Sequence, residues 1–246
     1  MKNYKMILSY DGSRYQGWQG QGNTENTIQA KVTTVLERLT GETVHLQASG
    51  RTDAGVHAMA QVVSFQLEGI QELPRLLKEL NRYLPEDIGV LSLEEAAPRF
   101  HARLSAMSKV YTYRIWNSAA PDVFGRKYRY HLPHHQDLDA MEQAARLLEG
   151  THDFKSFCGL PRFKKSTVRT VYHISIEQEG PVLTLRFHGN GFLNRMVRIL
   201  AGTLVEVGLG FRPAESMTDI LAAQDRSAAG GALPAHGLLL EEVRYH

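Results

Sequence analysis

The sequence predicts an α+β protein built as two tandem ferredoxin-like, RRM-like β-α-β-β-α-β halves. They are expected to join into a mixed, mostly antiparallel central sheet with flanking helices and a cleft between them. Three observations carry this expectation. Short alternating strands and amphipathic helices occur in the same order twice along 246 residues. A hydrophobic fraction of 43% is enough to bury a substantial core. No Pro/Ser-rich linker separates the two runs, which argues for one continuous unit.

The elements of the first half, 1–105, follow in order. Tyr4–Ser9 alternates as a strand, and a Gly-rich polar loop follows. A helix runs from about Thr27 to Thr40, with Ile28, Val32, Val35, Leu36 and Leu39 on one face. Strands are expected near Val44–Gln47 and Gln61–Leu67, then a helix opened by Pro74 and a strand near Ile88–Leu93. The seam falls near Ser105 to Ser108. The second half, 106–246, gives a strand Lys109–Asn117, a helix Leu138–Glu149, and strands Val168–Glu177 and Val182–Phe187. A helix from about Leu193 to Val207, a shorter one after Pro213 and a strand Leu238–Tyr245 complete it. The duplication is architectural, without a residue-level repeat.

Composition narrows the function classes. The net charge is only +2, so any nucleic-acid binding must come from local concentrations of charge. Two basic runs meet that need: Arg99–Arg114 and 157–170 each hold four Arg or Lys and no acid, interleaved with Tyr111, Tyr113 and Phe163. Cys158 is the only cysteine, which excludes an internal disulfide and a cysteine zinc cluster and fits a reducing compartment. No apolar run approaches the roughly 20 residues that span a bilayer, so a soluble, cytoplasmic protein is expected.

The densest chemical signal is Gly50-Arg51-Thr52-Asp53-Ala54-Gly55-Val56-His57-Ala58, lying between two expected strands. It is too polar for a core and too long for a tight hairpin, and its glycines let the loop present Asp53 at a fixed angle. By itself, an Asp-Ala-Gly is as readily a turn residue. Other signals are weaker. Gly189-Asn190-Gly191 lacks the third glycine of a dinucleotide loop, since Asn194 stands there. His131, His134 and His135 fall in an expected loop rather than on a helix, with no cysteine nearby, and read as solvated, so no metal is expected.

The run Gly50–Ala58 resembles the signature of the TruA family of tRNA pseudouridine synthases, and the resemblance spans nearly the whole chain. Tyr10–Gln19 and Asn26–Gln29 match the family's N-terminal segment, and Phe100–Arg103 with Lys109–Tyr113 its second motif. His152–Phe154, Val168–Val171, Phe192–Arg198 and Gly237–Leu240 follow in order. Gly20, where a basic residue is usual, and Asn194-Arg195, where aromatic residues or histidine are common, depart from the pattern.

The resemblance implies the pseudouridine synthase fold and isomerisation of uridine to pseudouridine at positions 38, 39 and 40 of the tRNA anticodon stem-loop. It also implies a homodimer that cradles tRNA, with no cofactor. Asp53 would be the nucleophile, acting at the ribose C1′, at the pyrimidine C6, or in support of a glycal route with Tyr111 as base. Arg198 would keep the carboxylate ionised. Read from periodicity alone, it sits at the edge of the stripe Leu193, Met196, Val197, Leu200 and Leu204, where long side chains reach for water. Tyr111 would stack the uracil. Arg51 and His57 flank the acid as substrate contacts. Arg14, Arg103, Lys109, Arg162, Lys164, Lys165 and Arg169 are candidate RNA-backbone contacts. Two competing classes are a non-catalytic RRM-like RNA-binding protein and a pyrimidine methyltransferase working through Cys158.

Overall fold

The computed structural model describes residues 1–246 except Gln21, Asn23, Ile70, Gln71, Pro161, Phe163 and Lys164. The described residues form five α-helices and ten strands, mostly antiparallel, the α+β class that the patterning predicts. They cluster into two compact units, Met1–Met107 with Leu239–His246, and Ser108–Leu238.

In the first unit, β1 (Lys2–Tyr10) leads to α1 (Ile28–Thr40). The Thr27 hydroxyl accepts the Ala30 N–H at α1's start, and Gly41, at φ +73°, closes its end. After β2 (Gln47–Ala48) come β3 (His57–Leu67), α2 (Leu73–Tyr83) and β4 (Ile88–Glu95). β1 lies antiparallel between β3 and β4. The other edge of β3 is shared. β2 pairs with it at Gln47↔Ser64, and β10 (Leu238–Arg244) runs parallel to it at Leu239↔His57. That ladder gathers the last strand with the first unit, although in sequence it follows the second run of elements. β2 is shorter than the apolar run Val44–Gln47 suggests: Val44 and Leu46 are buried without joining the ladder.

The second unit opens with β5 (Ser108–Trp116), whose end is joined in parallel by the two-residue β6 (Tyr130–His131). α3 (Leu138–Leu148), β7 (Gly150–Asp153), β8 (Val168–Glu179) and β9 (Val182–Gly189) follow. The sheet order is β5-β9-β8-β7, each pair antiparallel. α4 (Met196–Gly208) is buried on nearly every side, as its all-round apolar sequence requires, and α5 (Ser216–Ala223) follows it. α4 starts three residues later than the apolar stripe suggests, because Arg195 stands in the left-handed region at φ +56° and so cannot be part of the helix.

Candidate active site

In the first unit the loop bearing Asp53 is fixed at its base, along its length and at its tip. At the base, the Gln61 side chain is completely buried; its Nε2 donates to the Gly50 carbonyl at 2.9 Å and its Oε1 accepts from the Ser49 hydroxyl at 2.6 Å. At the tip, the Val56 N–H donates to the Asp53 carbonyl at 3.1 Å, and Gly55 takes φ +79°, the third position of a turn that calls for glycine.

Along its length the loop is gripped by residues 10–18. The Trp18 N–H donates to the Thr52 carbonyl at 3.0 Å, and the Tyr10 and Thr52 hydroxyls share a buried 2.9 Å bond. Gly17, at φ +86°, packs so closely that a Cβ there would sit 2.7 Å from the Thr52 carbonyl oxygen. A Cβ on Gly12 would fall 2.0 Å from the Val56 oxygen. Both glycines serve as close-approach points, so the polar N-terminal segment is a clamp on the Asp53 turn. Asp53 itself is half-buried, while Arg51 and Ala54 beside it are exposed.

His57 opens β3 and is 3% exposed. Its Nδ1 lies 3.0 Å from the Gly12 nitrogen and 3.1 Å from an Asp11 carboxylate oxygen. A ring nitrogen that accepts the Gly12 N–H carries no proton for Asp11, so we read the first contact as the hydrogen bond and the second as packing. Asp11 accepts the Ser13 N–H as well. Arg14 turns its guanidinium to Asp87 at 2.7 Å, and the Tyr15 hydroxyl donates to the same carboxylate at 2.5 Å. Burial first, and that hydrogen bond second, push the Tyr15 phenol up to about 12.

In the second unit, Tyr111 and Tyr113 share one face of β5, as their spacing predicts. Tyr111 is 8% exposed and meets Phe192 edge to face, with ring centroids 5.4 Å apart. Tyr113 is fully buried; its hydroxyl donates to the Pro234 carbonyl at 2.8 Å, and burial pushes its phenol well above the usual range against the pull of Arg198. Arg198, on α4, donates from Nε to the Leu233 carbonyl at 2.7 Å, and the Leu233 N–H returns a bond to the Arg198 carbonyl.

The strap 229–237 thus ties Arg198 to Tyr113. It lies hard on α4, where a Cβ on Gly202 would be 1.9 Å from the Gly231 oxygen, and its Gly230 N–H donates to the Thr203 hydroxyl. Instead of snorkelling to water, Arg198 is half-buried and anchored to this strap.

The remaining basic candidates divide by environment. Lys109 is partly buried on β5 opposite Gly189, which in turn faces Val171 of β8. Arg169 caps the Ser166 and Val168 carbonyls and lies about 4 Å from the Cβ position of Gly191. Lys109 and Arg169 therefore border the loop 189–195 that also carries Phe192. Arg162 and Lys165 are exposed, and Lys164 and Phe163 lie outside the described residues. Arg103 is exposed in the first unit. Phe192 and the strap carbonyls were not singled out from the sequence; the run Gly230-Gly231 with Pro234 was the available signal for the strap. Among the described residues no group of three His, Cys, Asp or Glu side chains is placed to hold a metal, and no helix is long and apolar enough to cross a membrane.

An α+β fold by itself serves many activities, and comparison with known proteins gives the family. A family model described as tRNA pseudouridine synthase matches residues 6–104 and 144–246. The chain belongs to that family of isomerases. It is 42% identical over 245 residues to tRNA pseudouridine synthase A 2 of Bacillus anthracis, covering all of both chains. It is 44% identical, again over the whole of both, to tRNA pseudouridine synthase A of Bacillus sp. (strain KSM-64). The protein of that name from Moorella thermoacetica is 46% identical over 242 residues, 98% of each chain.

Proposed function

We propose that the protein converts uridine to pseudouridine in the anticodon stem-loop of tRNA, at positions 38, 39 and 40, with Asp53 as the nucleophile and no cofactor. The reaction breaks the bond from N1 to the ribose, turns the uracil while it stays bound, and joins C5 to the same carbon. The C5 proton leaves and N1 gains one, so nothing is oxidised and no group is imported.

Such chemistry needs an ionised carboxylate in a fixed place, a cation to keep it ionised, and a flat surface for the extruded base. The observation that carries the reading is the Asp53 turn, held by Gly12, Gly17, Tyr10 and Trp18 while its acid stays half-buried. Arg198 supplies the guanidinium, which favours the anion and offsets its desolvation. Tyr111, steadied by Phe192, supplies the platform; stacking one base is worth about 1 to 3 kcal/mol, comparable with the cost of unstacking it. Arg51 reaches the nucleotide from the exposed rim, and His57 underpins the loop from its buried side.

Arg14, Arg103, Lys109, Arg162, Lys164, Lys165 and Arg169 contact the tRNA backbone, with Arg14 also serving Asp87. The halves 1–105 and 106–246 act as one catalytic unit, the protein works as a homodimer, and it resides with its substrate in the cytoplasm.

The test is pseudouridine mapping on total tRNA incubated with purified protein and no added cofactor. Asp53→Asn is expected to abolish modification while leaving tRNA affinity within a few fold. Modification at the normal rate by that variant would remove the carboxylate from the mechanism. A donor-dependent mass gain in the RNA, lost on replacing Cys158, would instead mark a methyltransferase.

A further inference from the structure

The segment Val123–Gln136 contains Arg126, Lys127 and Arg129 with three histidines, Phe124, Tyr128 and Tyr130, and no acid. None of it is used by the reaction described above. In the structure it borders a cavity of about 560 Å³, within the range of clefts that hold a small organic ligand. Val123, Arg126, Arg129, Tyr130, His131 and His236 line it, and neither Tyr111 nor Arg198 does. Tyr130 and His236 meet edge to face at 6.4 Å.

The cavity's walls are held by contacts within the chain. Its one carboxylate, Asp122, accepts the Gly125 N–H and pairs with Arg129 at 2.7 Å, and the Gly125 bond holds it below the usual carboxylate range. Arg129 is stacked over Trp116 at 5.7 Å. Asp122 is therefore spent on Arg129, and the charge of Arg126 stays uncompensated at the exposed mouth, where the guanidinium reaches only the Val123 carbonyl among the described residues. Phe124, next in the chain to the lining residue Val123, is 96% exposed. A cationic mouth, an aromatic wall and a solvent-exposed ring suit a polyanion that carries flat bases.

We propose that this cavity is an RNA subsite. It takes the phosphate of a tRNA nucleotide on Arg126 and that nucleotide's unstacked base against Tyr130 and His236, separately from the uridine that reacts. The inference rests on tRNA being the substrate.

Binding of an unmodified tRNA transcript to the full-length protein over a range of salt tests it. Arg126→Gln is expected to weaken affinity about tenfold and to flatten the slope of log K against log salt by roughly 0.7 to 0.9, the share of one phosphate. Phe124→Ala, whose ring is in solvent and cannot unsettle the core, is expected to weaken affinity at least threefold with the slope retained. Ultraviolet crosslinking should place a nucleotide on the peptide containing residues 121–131. Wild-type affinity and slope in both variants would overturn the subsite. So would a loss of affinity that tracks a change in oligomeric mass, which would assign the surface to a second copy of the chain. Asp53→Asn, run beside them, keeps the two readings apart. If it still isomerises uridine, the catalytic reading fails, while the binding result at Arg126 stands by itself.

Discussion

Replacing Gly17 by alanine tests whether the N-terminal clamp sets the position of Asp53. Two costs follow from the structure. Gly17 sits at φ +86°, a region that costs an L residue about 1 to 2 kcal/mol. Its new Cβ would lie 2.7 Å from the Thr52 oxygen, 3.1 Å from the Ala54 nitrogen and 3.2 Å from the Asp53 carbonyl carbon. These are backbone atoms and cannot rotate aside. Ordinary contact begins at 3.4 Å, so the turn must retreat by roughly 0.7 Å. Overpacking of this kind adds about 1 to 3 kcal/mol, and a displacement of about 1 Å at a reacting group costs on the order of a hundredfold in rate. Single-turnover pseudouridine formation in Gly17→Ala is expected to fall about 10- to 100-fold, with tRNA affinity held within a few fold. Gly41→Ala is the control. It has nearly the same backbone strain, at φ +73°, but nothing within 4 Å of the added Cβ, so it should lose stability without losing rate. Equal rates in the two variants would refute the clamp.

Two further outcomes are expected. The Tyr15 phenol keeps its proton to about pH 12 in the folded protein, whereas an unfolded chain releases it near 10.0. Stability from this group is therefore complete below pH 10 and is lost as the pH rises towards 12, on the order of 1 kcal/mol once solvent screening is allowed for. Urea midpoints measured from pH 8 to 11.5 should fall, less steeply in Tyr15→Phe; identical slopes would contradict the assignment. In α4, Gly202→Ala would gain about 1 kcal/mol of helix propensity in isolation. Its Cβ would instead meet the Gly231 oxygen, so a net loss of about 1 to 3 kcal/mol by thermal denaturation and a slower reaction are expected. A stabilised, fully active variant would show that the strap does not hold Arg198 and Tyr113 in place.

What the sequence revealed and what it hid have separate physical causes. Side-chain periodicity marks elements that bury one face, so β1, α1, β5, α3 and β8 lie within a few residues of their expected bounds. It does not mark ladders. Val44 and Leu46 are apolar and buried yet unpaired, while His57–Ala60, read as loop, already belong to β3. β6 and β7, two and four residues long, are strands only because a neighbour pairs with them. Asp53, Tyr111 and Arg198 stand out in the sequence as candidates because their side chains are chemically distinctive and lie in motifs. The Leu233 and Pro234 carbonyls that tether Arg198 and Tyr113 do not, since every residue carries a carbonyl. Gly12 and Gly17 stood in a matched segment, but their purpose depends on what presses against them.

The pairing of Leu239 with His57 joins residues roughly 180 positions apart in a chain that emerges from the ribosome N-terminus first. The strand that begins just after the Asp53 turn thus has that edge filled only once a segment far along the chain has been made. Contacts of such long range are slow to close. A nascent chain displays the acid-bearing loop early, but the adjoining edge stays open until Leu239 and Leu240 have emerged, which ties the closing of that edge to the synthesis of a segment far along the chain.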